Sequence, residues 1–288
     1  MVVAERIGEV RREVTAARQR GSRVGLVPTM GALHAGHASL FRAARADGYF
    51  VVASIFVNPT QFGPGEDFAR YPRPLDRDLA ACAGERVDLV FTPAAGEMYP
   101  AGFATTVRVA GMSQKMCGAV RPGHFDGVCA VVAKLLAIVQ PDVAYFGEKD
   151  AQQLAIVRRM VADLNLGVEI RGCPIIRESD GLAMSSRNVY LKPDDRRHAL
   201  ALSAALAEAR EAILAGDRDG PGVADRVRRH LDAADGVDPQ YVAVVDPDTL
   251  EDLTRIGDKV LVAVAAKVGA TRLIDNVLLR DLRLPGHG

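Results

Sequence analysis

Several kinds of protein are excluded by what this sequence lacks. No apolar run is long enough to span a membrane. The opening MVVAERIGEVRREV carries charges where an export signal needs an apolar stretch, so a cytoplasmic location is expected. Net charge is missing too: 36 lysines plus arginines balance 36 aspartates plus glutamates, and a broad nucleic-acid surface has no support. The four cysteines, Cys82, Cys117, Cys129 and Cys173, are scattered without metal-ligand spacing and read as reduced, mostly buried thiols. There is no HExxH glutamate, no G-x-S-x-G elbow, no low-complexity tract and no heptad seam.

What is present is an ordinary globular composition, 49% hydrophobic and 25% charged, long enough for one or two domains. The pattern alternates helix and strand. Ile7 to Gln19 reads as a helix closed by Gly21, and Val24 to Val27 as a buried strand that Pro28 should end. A helix through Leu40, Phe41 and Ala44 follows, then a strand over Tyr49–Val57, a helix from Leu75 and a short strand over Val87–Phe91. Thr105 to Gly111 alternates as a strand should. An apolar helix over Phe125–Val139 precedes strands at Pro141–Phe146 and Val168–Cys173, with a helix from Ala151 to Leu164 between them. This is an α/β chain with a Rossmann-like parallel sheet, residues 1–175. Residues 176–288 read as a small α+β domain: helices over Asp194–Ala215 and Val223–Ala234, strands at Tyr241–Val245 and Val260–Ala265, and a short strand at Leu273–Ile274.

The chemistry-bearing residues cluster after strand ends. His34 and His37, three apart at a helix start, share one face where amides and the helix dipole favour phosphate. By spacing alone they are equally compatible with polar surface. Asn58 and Gln61 follow the next strand and carry amides able to orient a carboxylate or hydroxyl. Lys149 offers mobile positive charge, Asp150 can accept from ribose hydroxyls, and Gln153 lies one turn further on. Ser185, Ser186 and Arg187 offer two hydroxyls and a planar donor fork suited to phosphate. His198, His230 and His287 read as structural or solvent-exposed.

TMGALHAGH is similar to the HxGH signature of nucleotidyltransferases and class I aminoacyl-tRNA synthetases. With VNPTQF, RPGHFDGV, FGEKDAQQ and MSSRN following in order, the chain resembles the pantothenate synthetase (pantoate–beta-alanine ligase) family, and KVGATRLIDN extends the likeness to the end. The resemblance implies ATP-dependent condensation of (R)-pantoate with beta-alanine through a pantoyl adenylate, yielding pantothenate, AMP and pyrophosphate. It implies an ATP site drawn from Met30, Gly31, Ala32, Leu33, His34, Ala35, Gly36, His37, Gly147, Glu148, Lys149, Asp150, Ile176, Met184, Ser185, Ser186 and Arg187. His37, His34, Lys149 and Arg187 are the expected catalytic residues, and Asn58, Gln61, Arg121 and Gln153 the expected substrate-binding ones. Arg121 is placed by the likeness to steady phosphate, and Asp78 near a magnesium ion. A homodimer is implied, with the small domain as a lid over the water-sensitive intermediate. The lysines of the synthetases' KMSKS loop are missing from MSSRN, where Arg187 carries the cation. A superfamily enzyme acting on another acid or phosphate ester stays open, as does a noncatalytic nucleotide-binding protein.

Overall fold

Strands as uniformly apolar as Val24–Val27 and Val51–Ala53 need cover on both faces, and a helix-flanked parallel sheet supplies it. The structure, a computed structural model, describes residues 1–282; the expectation for His287 lies outside them. In chain order come β1 (Val2–Ala4), α1 (Ile7–Gln19), β2 (Val24–Thr29), α2 (Ala35–Ala46), β3 (Phe50–Ile55), α3 (Leu75–Gly84), β4 (Leu89–Phe91) and α4 (Ala95–Met98). Next are α5 (Met116–Val120), α6 (His124–Val139), β5 (Val143–Gly147), α7 (Ala151–Asp163) and β6 (Glu169–Cys173). The rest is α8 (Pro193–Leu214), α9 (Gly220–Asp232), β7 (Val237–Val245), β8 (Val260–Val268) and β9 (Thr271–Leu279).

The chain divides into two compact units. The first comprises Met1–Gln114, Arg121–Glu148 and Ile156–Ile176; the second takes Lys115–Val120, Lys149–Ala155 and everything from Arg177 on. A single boundary in the sequence does not anticipate those two short excursions.

In the first unit six parallel strands run in the order β1-β4-β3-β2-β5-β6. Leu40, Phe41 and Ala44 of α2, with Cys82 of α3, pack on one face against Val27, Val51 and Tyr145. On the opposite side α1 and α6 lie against β2. The chain leaves β2 toward β3 and returns at β5 on β2's other side. The carboxyl ends of β2 and β5 therefore adjoin at the switch point, where open α/β sheets bind ligands.

Two expectations fail here for identifiable reasons. Pro28 does not end β2; it pairs in register with Ser54. The Phe50 and Phe56 amides donate to Arg23 and Thr29, so odd residues of β2 face β3, whereas the Asp142 amide donates to Val24 and even residues face β5. Pairing with β5 covers only Gly25 and Leu26, so proline's missing N–H costs no ladder bond. Thr105–Gly111 forms no strand, because alternation specifies a buried side, not a hydrogen-bonding neighbour. β1, only three residues long, is too short to display a period and leaves no mark in the sequence pattern.

The second unit carries the antiparallel sheet β7-β8-β9 with α8 and α9 packed on it around Leu202, Leu206, Leu231 and Val262. Its strands are longer than expected. β7 begins at Val237, and a register shift between Pro239 and Tyr241 accommodates the proline on an edge strand. β9 runs for nine residues.

Candidate active site

The turn after β2 is held by its own strand and by one buried acid. Thr29 donates through its hydroxyl to the Ser54 carbonyl (2.7 Å), and the same oxygen accepts the Gly31 amide (3.1 Å). Gly31 takes φ +83°, and a Cβ there would lie 2.8 Å from an Asp78 oxygen. Ala32, at φ +51°, holds a conformation L-residues seldom adopt. What compensates is Asp78, 1% exposed, whose two oxygens accept the Ala32 and Leu33 amides at 2.8 Å each.

His34 is the N-cap of α2, and His37 stands at its third position. The Gly36 amide donates to His34 Nδ1 (3.1 Å), and the His34 amide to His37 Nδ1 (3.3 Å). A ring nitrogen that accepts carries no proton, so with Nδ1 accepting, Nε2 is the nitrogen left to donate in each ring. The rings lie 4.1 Å apart, centroid to centroid. Together they form a pair of N–H donors at a helix N-terminus.

Beyond β3, Asn58 and Gln61 are 1% and 8% exposed. Asn58 Nδ2 donates to Gln61 Oε1 (3.0 Å) and to the Gly127 carbonyl (3.1 Å). Its Oδ1 accepts from the Thr60 hydroxyl and from Tyr99, whose pKa burial pushes up. Gln61 Nε2 reaches Met30 Sδ at 3.2 Å, which sets this amide beside the histidine turn. Gly127 lets α6 come this close, since a Cβ there would lie 2.3 Å from the Thr60 carbonyl oxygen.

Arg121 is paired within the protein. Its guanidinium forks onto Glu66 (2.7 and 2.6 Å), and that bond holds the Glu66 carboxyl below its usual range. Arg121 Nη2 and His124 Nδ1 both donate to the Gln61 carbonyl (3.2 and 2.8 Å). These bonds latch the loop. Asp78 is engaged as well. Both its oxygens hold the turn, and no cluster of three potential metal ligands exists among the described residues. An ion carried on nucleotide phosphates needs only one protein carboxylate, so Asp78 can hold the turn and still lie beside one.

Gly147 ends β5, Glu148 and Ile176 are half-buried, and all three belong to the first unit. The second unit holds Lys149, Asp150, Gln153 and Met184–Arg187. Lys149 Nζ stands 3.4 Å from Asp150 Oδ2, and its carbonyl accepts from Asn276 Nδ2 (2.9 Å). Gln153 sits half-buried in the first turn of α7. Ser185 caps a short 3-10 turn over Ser186–Tyr190, its hydroxyl accepting the Arg187 amide (3.2 Å). Asn188 fastens that turn to Glu178 (2.7 Å) and to the Ala183 carbonyl (3.1 Å).

The Pantoate-beta-alanine ligase family model matches residues 2–278. The chain belongs to the pantoate–beta-alanine ligase family. Among family members, it is 56% identical to a pantothenate synthetase of Moorella thermoacetica, over 97% of this chain and 99% of that one. It is 54% identical to one from Thermoanaerobacter sp. (strain X514), over 96% and 98%. The crystal structure of the pantothenate synthetase from Thermus thermophilus superposes with TM-score 0.91 at 48% identity, covering 96% and 99% of the two chains. A pantoate-beta-alanine ligase from Francisella tularensis, complexed with beta-gamma ATP and beta-alanine, gives 0.78 at 32%, covering 96% and 97%.

Family membership leaves several supporting residues that motif reading misses: Glu66, Tyr99, His124, Asp275 and Asn276. Each acts through a partner distant in sequence, and no local pattern marks such pairs. Three of the four thiols offer no rival chemistry. Burial pushes Cys82 and Cys129 up to about 12, and also raises Cys173, so these three stay protonated.

Proposed function

We propose that this chain condenses (R)-pantoate with beta-alanine at the expense of ATP, through an enzyme-bound pantoyl adenylate. The observation that carries the reading is the pair of Nε2–H donors, His34 and His37, set at the N-terminus of α2 beside the switch point. The ligated relative from Francisella tularensis supports ATP and beta-alanine as the other substrates.

A free carboxylate is a poor acyl donor, because its leaving group would be oxide. A pantoate carboxylate oxygen attacks the α-phosphorus of ATP, and pyrophosphate departs with the electron pair of the broken P–O bond. The beta-alanine amine then attacks the carbonyl carbon, AMP leaves, and the amide of pantothenate remains. The protein's task is alignment and charge stabilisation, with no covalent nucleophile. Donating through Nε2, His34 and His37 stabilise phosphate charge by hydrogen bonds. Gln61, held by Asn58, supplies amide hydrogen bonds for pantoate, with Gln153 as a second such group. Lys149, Ser185, Ser186 and Arg187 serve the phosphates, and Asp150 the ribose. Magnesium would enter with ATP and would supply charge neutralisation at the phosphates. The chain works as a cytoplasmic homodimer.

Pantoate carrying ¹⁸O in its carboxylate tests the reaction with ATP, Mg²⁺ and beta-alanine. The oxygen that attacks phosphorus stays on it, so one label should appear in AMP by mass spectrometry. Label in inorganic phosphate, or ADP as product, would overturn the adenylate route.

A further inference from the structure

The KVGATRLIDN segment lies mostly on β9 and has no part in the chemistry above. Two of its residues, Asp275 and Asn276, are polar yet only 3% exposed each. Such burial is costly unless every group is paired, and apolar residues would fill the strand at lower cost. Their partners are informative. Asn276 Nδ2 donates to the Lys149 carbonyl (2.9 Å). The two Asp275 oxygens accept the Arg177 fork (2.7 and 3.0 Å), and Oδ1 also accepts the Asn276 amide (2.7 Å). Arg177 in turn donates to the Gly181 carbonyl (3.1 Å) and forms an antiparallel bridge with Ala183. That small hairpin leads directly into Met184–Arg187, and the Ala183 carbonyl anchors Asn188 of the same loop. All of these residues lie within the second unit.

One dipeptide thus holds the lysine turn with one side chain and the serine–arginine loop with the other. We propose that Asn276, itself fixed by Asp275, is a positioning residue for adenylate formation: it sets the backbone from which Lys149 projects. The proposal rests on the reading that Lys149 serves the ATP phosphates. A lysine on a four-carbon stem delivers charge to one place only if its Cα is fixed. A shift of the anchor changes where the ammonium stands when pyrophosphate leaves, more than whether ATP binds.

The test uses the full chain with Asn276→Leu, which keeps the volume and removes the donor. Single-turnover pyrophosphate release should fall about tenfold, with the ATP KM within about threefold of wild type, while the thermal midpoint falls modestly because the Lys149 carbonyl loses its donor. Combined with Lys149→Ala, the Asn276→Leu change should add no further loss. Should the leucine variant not fold, Asn276→Ala removes the donor without adding bulk or charge and should show the same loss of release. Normal release by the leucine variant while Lys149→Ala is impaired would overturn this inference alone. A multiplicative loss in the double variant would also overturn it, since Asn276 would then act elsewhere. Wild-type release by Lys149→Ala would bring down both this inference and the role given to Lys149.

Discussion

Asp78 bears out a simple rule: a carboxylate whose two oxygens each accept a backbone amide is a structural clamp before it is anything else. Asp78→Asn leaves one acceptor for two amides and points an NH₂ group at a donor. The change should lower stability by about 1–3 kcal/mol and weaken ATP binding, without altering the Mg²⁺ concentration that half-saturates turnover. Thermal unfolding and a magnesium titration check this; a raised magnesium requirement at unchanged stability would make Asp78 a ligand. His37→Ala should slow single-turnover adenylate formation at least about tenfold, because a donor aimed at developing phosphate charge is removed. An unchanged rate with normal ATP affinity would take His37 out of the chemistry. At this scale the sequence reveals which residues could do chemistry, since HxGH and MSSRN are local strings. It does not reveal that Asp78 and Arg121 are already occupied. Their partners, Ala32 and Glu66, lie far away in the chain, and side-chain type says nothing about which donor or acceptor arrives.

The segment from Pro59 to Arg73 is held at its middle by Glu66 on Arg121 and at its start by Asn58 on Gly127. Because hydrogen bonding from Arg121 lowers the Glu66 pKa, that pair contributes stability that is fully present above the unfolded value, near 4.5, and lost as pH falls through the lower folded value. Glu66→Gln should therefore cost about 1 kcal/mol at pH 7, a small figure because the pair is partly solvated, and almost nothing at a pH below the lowered folded value. Chemical denaturation at both pH values measures the difference; an equal cost at each would mean the charge is irrelevant. Helices such as α1 and α6 are legible to within a residue or so, because each shows a sustained apolar stripe or run and a terminating residue. Strands are less so. Pro28 reads as a stop because a proline's harm depends on which way its nitrogen faces, and that is a property of the neighbouring strand.

For the whole molecule, the α/β class follows from alternating helix and strand patterns, whereas the division into units does not. Short pieces around α5 and the start of α7 group with the later residues through bonds such as Lys115 Nζ to the Leu250 carbonyl and Asn276 Nδ2 to the Lys149 carbonyl. The assembly is expected to be a homodimer, twofold symmetry being the commonest closed arrangement. Sedimentation equilibrium at micromolar concentration should return twice the chain mass; a monomer would refute it. The strand order has a consequence for how the chain comes into being. β2 lies inside the finished sheet, yet its neighbour β5 is translated long after it, on the order of ten seconds later at about 5–20 residues per second. Throughout that interval the nascent chain presents one flank of β2 as an exposed ladder that a foreign strand could join. Pro28 lies on that flank and offers it no N–H, so the residue that looks like a strand breaker doubles as a guard during synthesis.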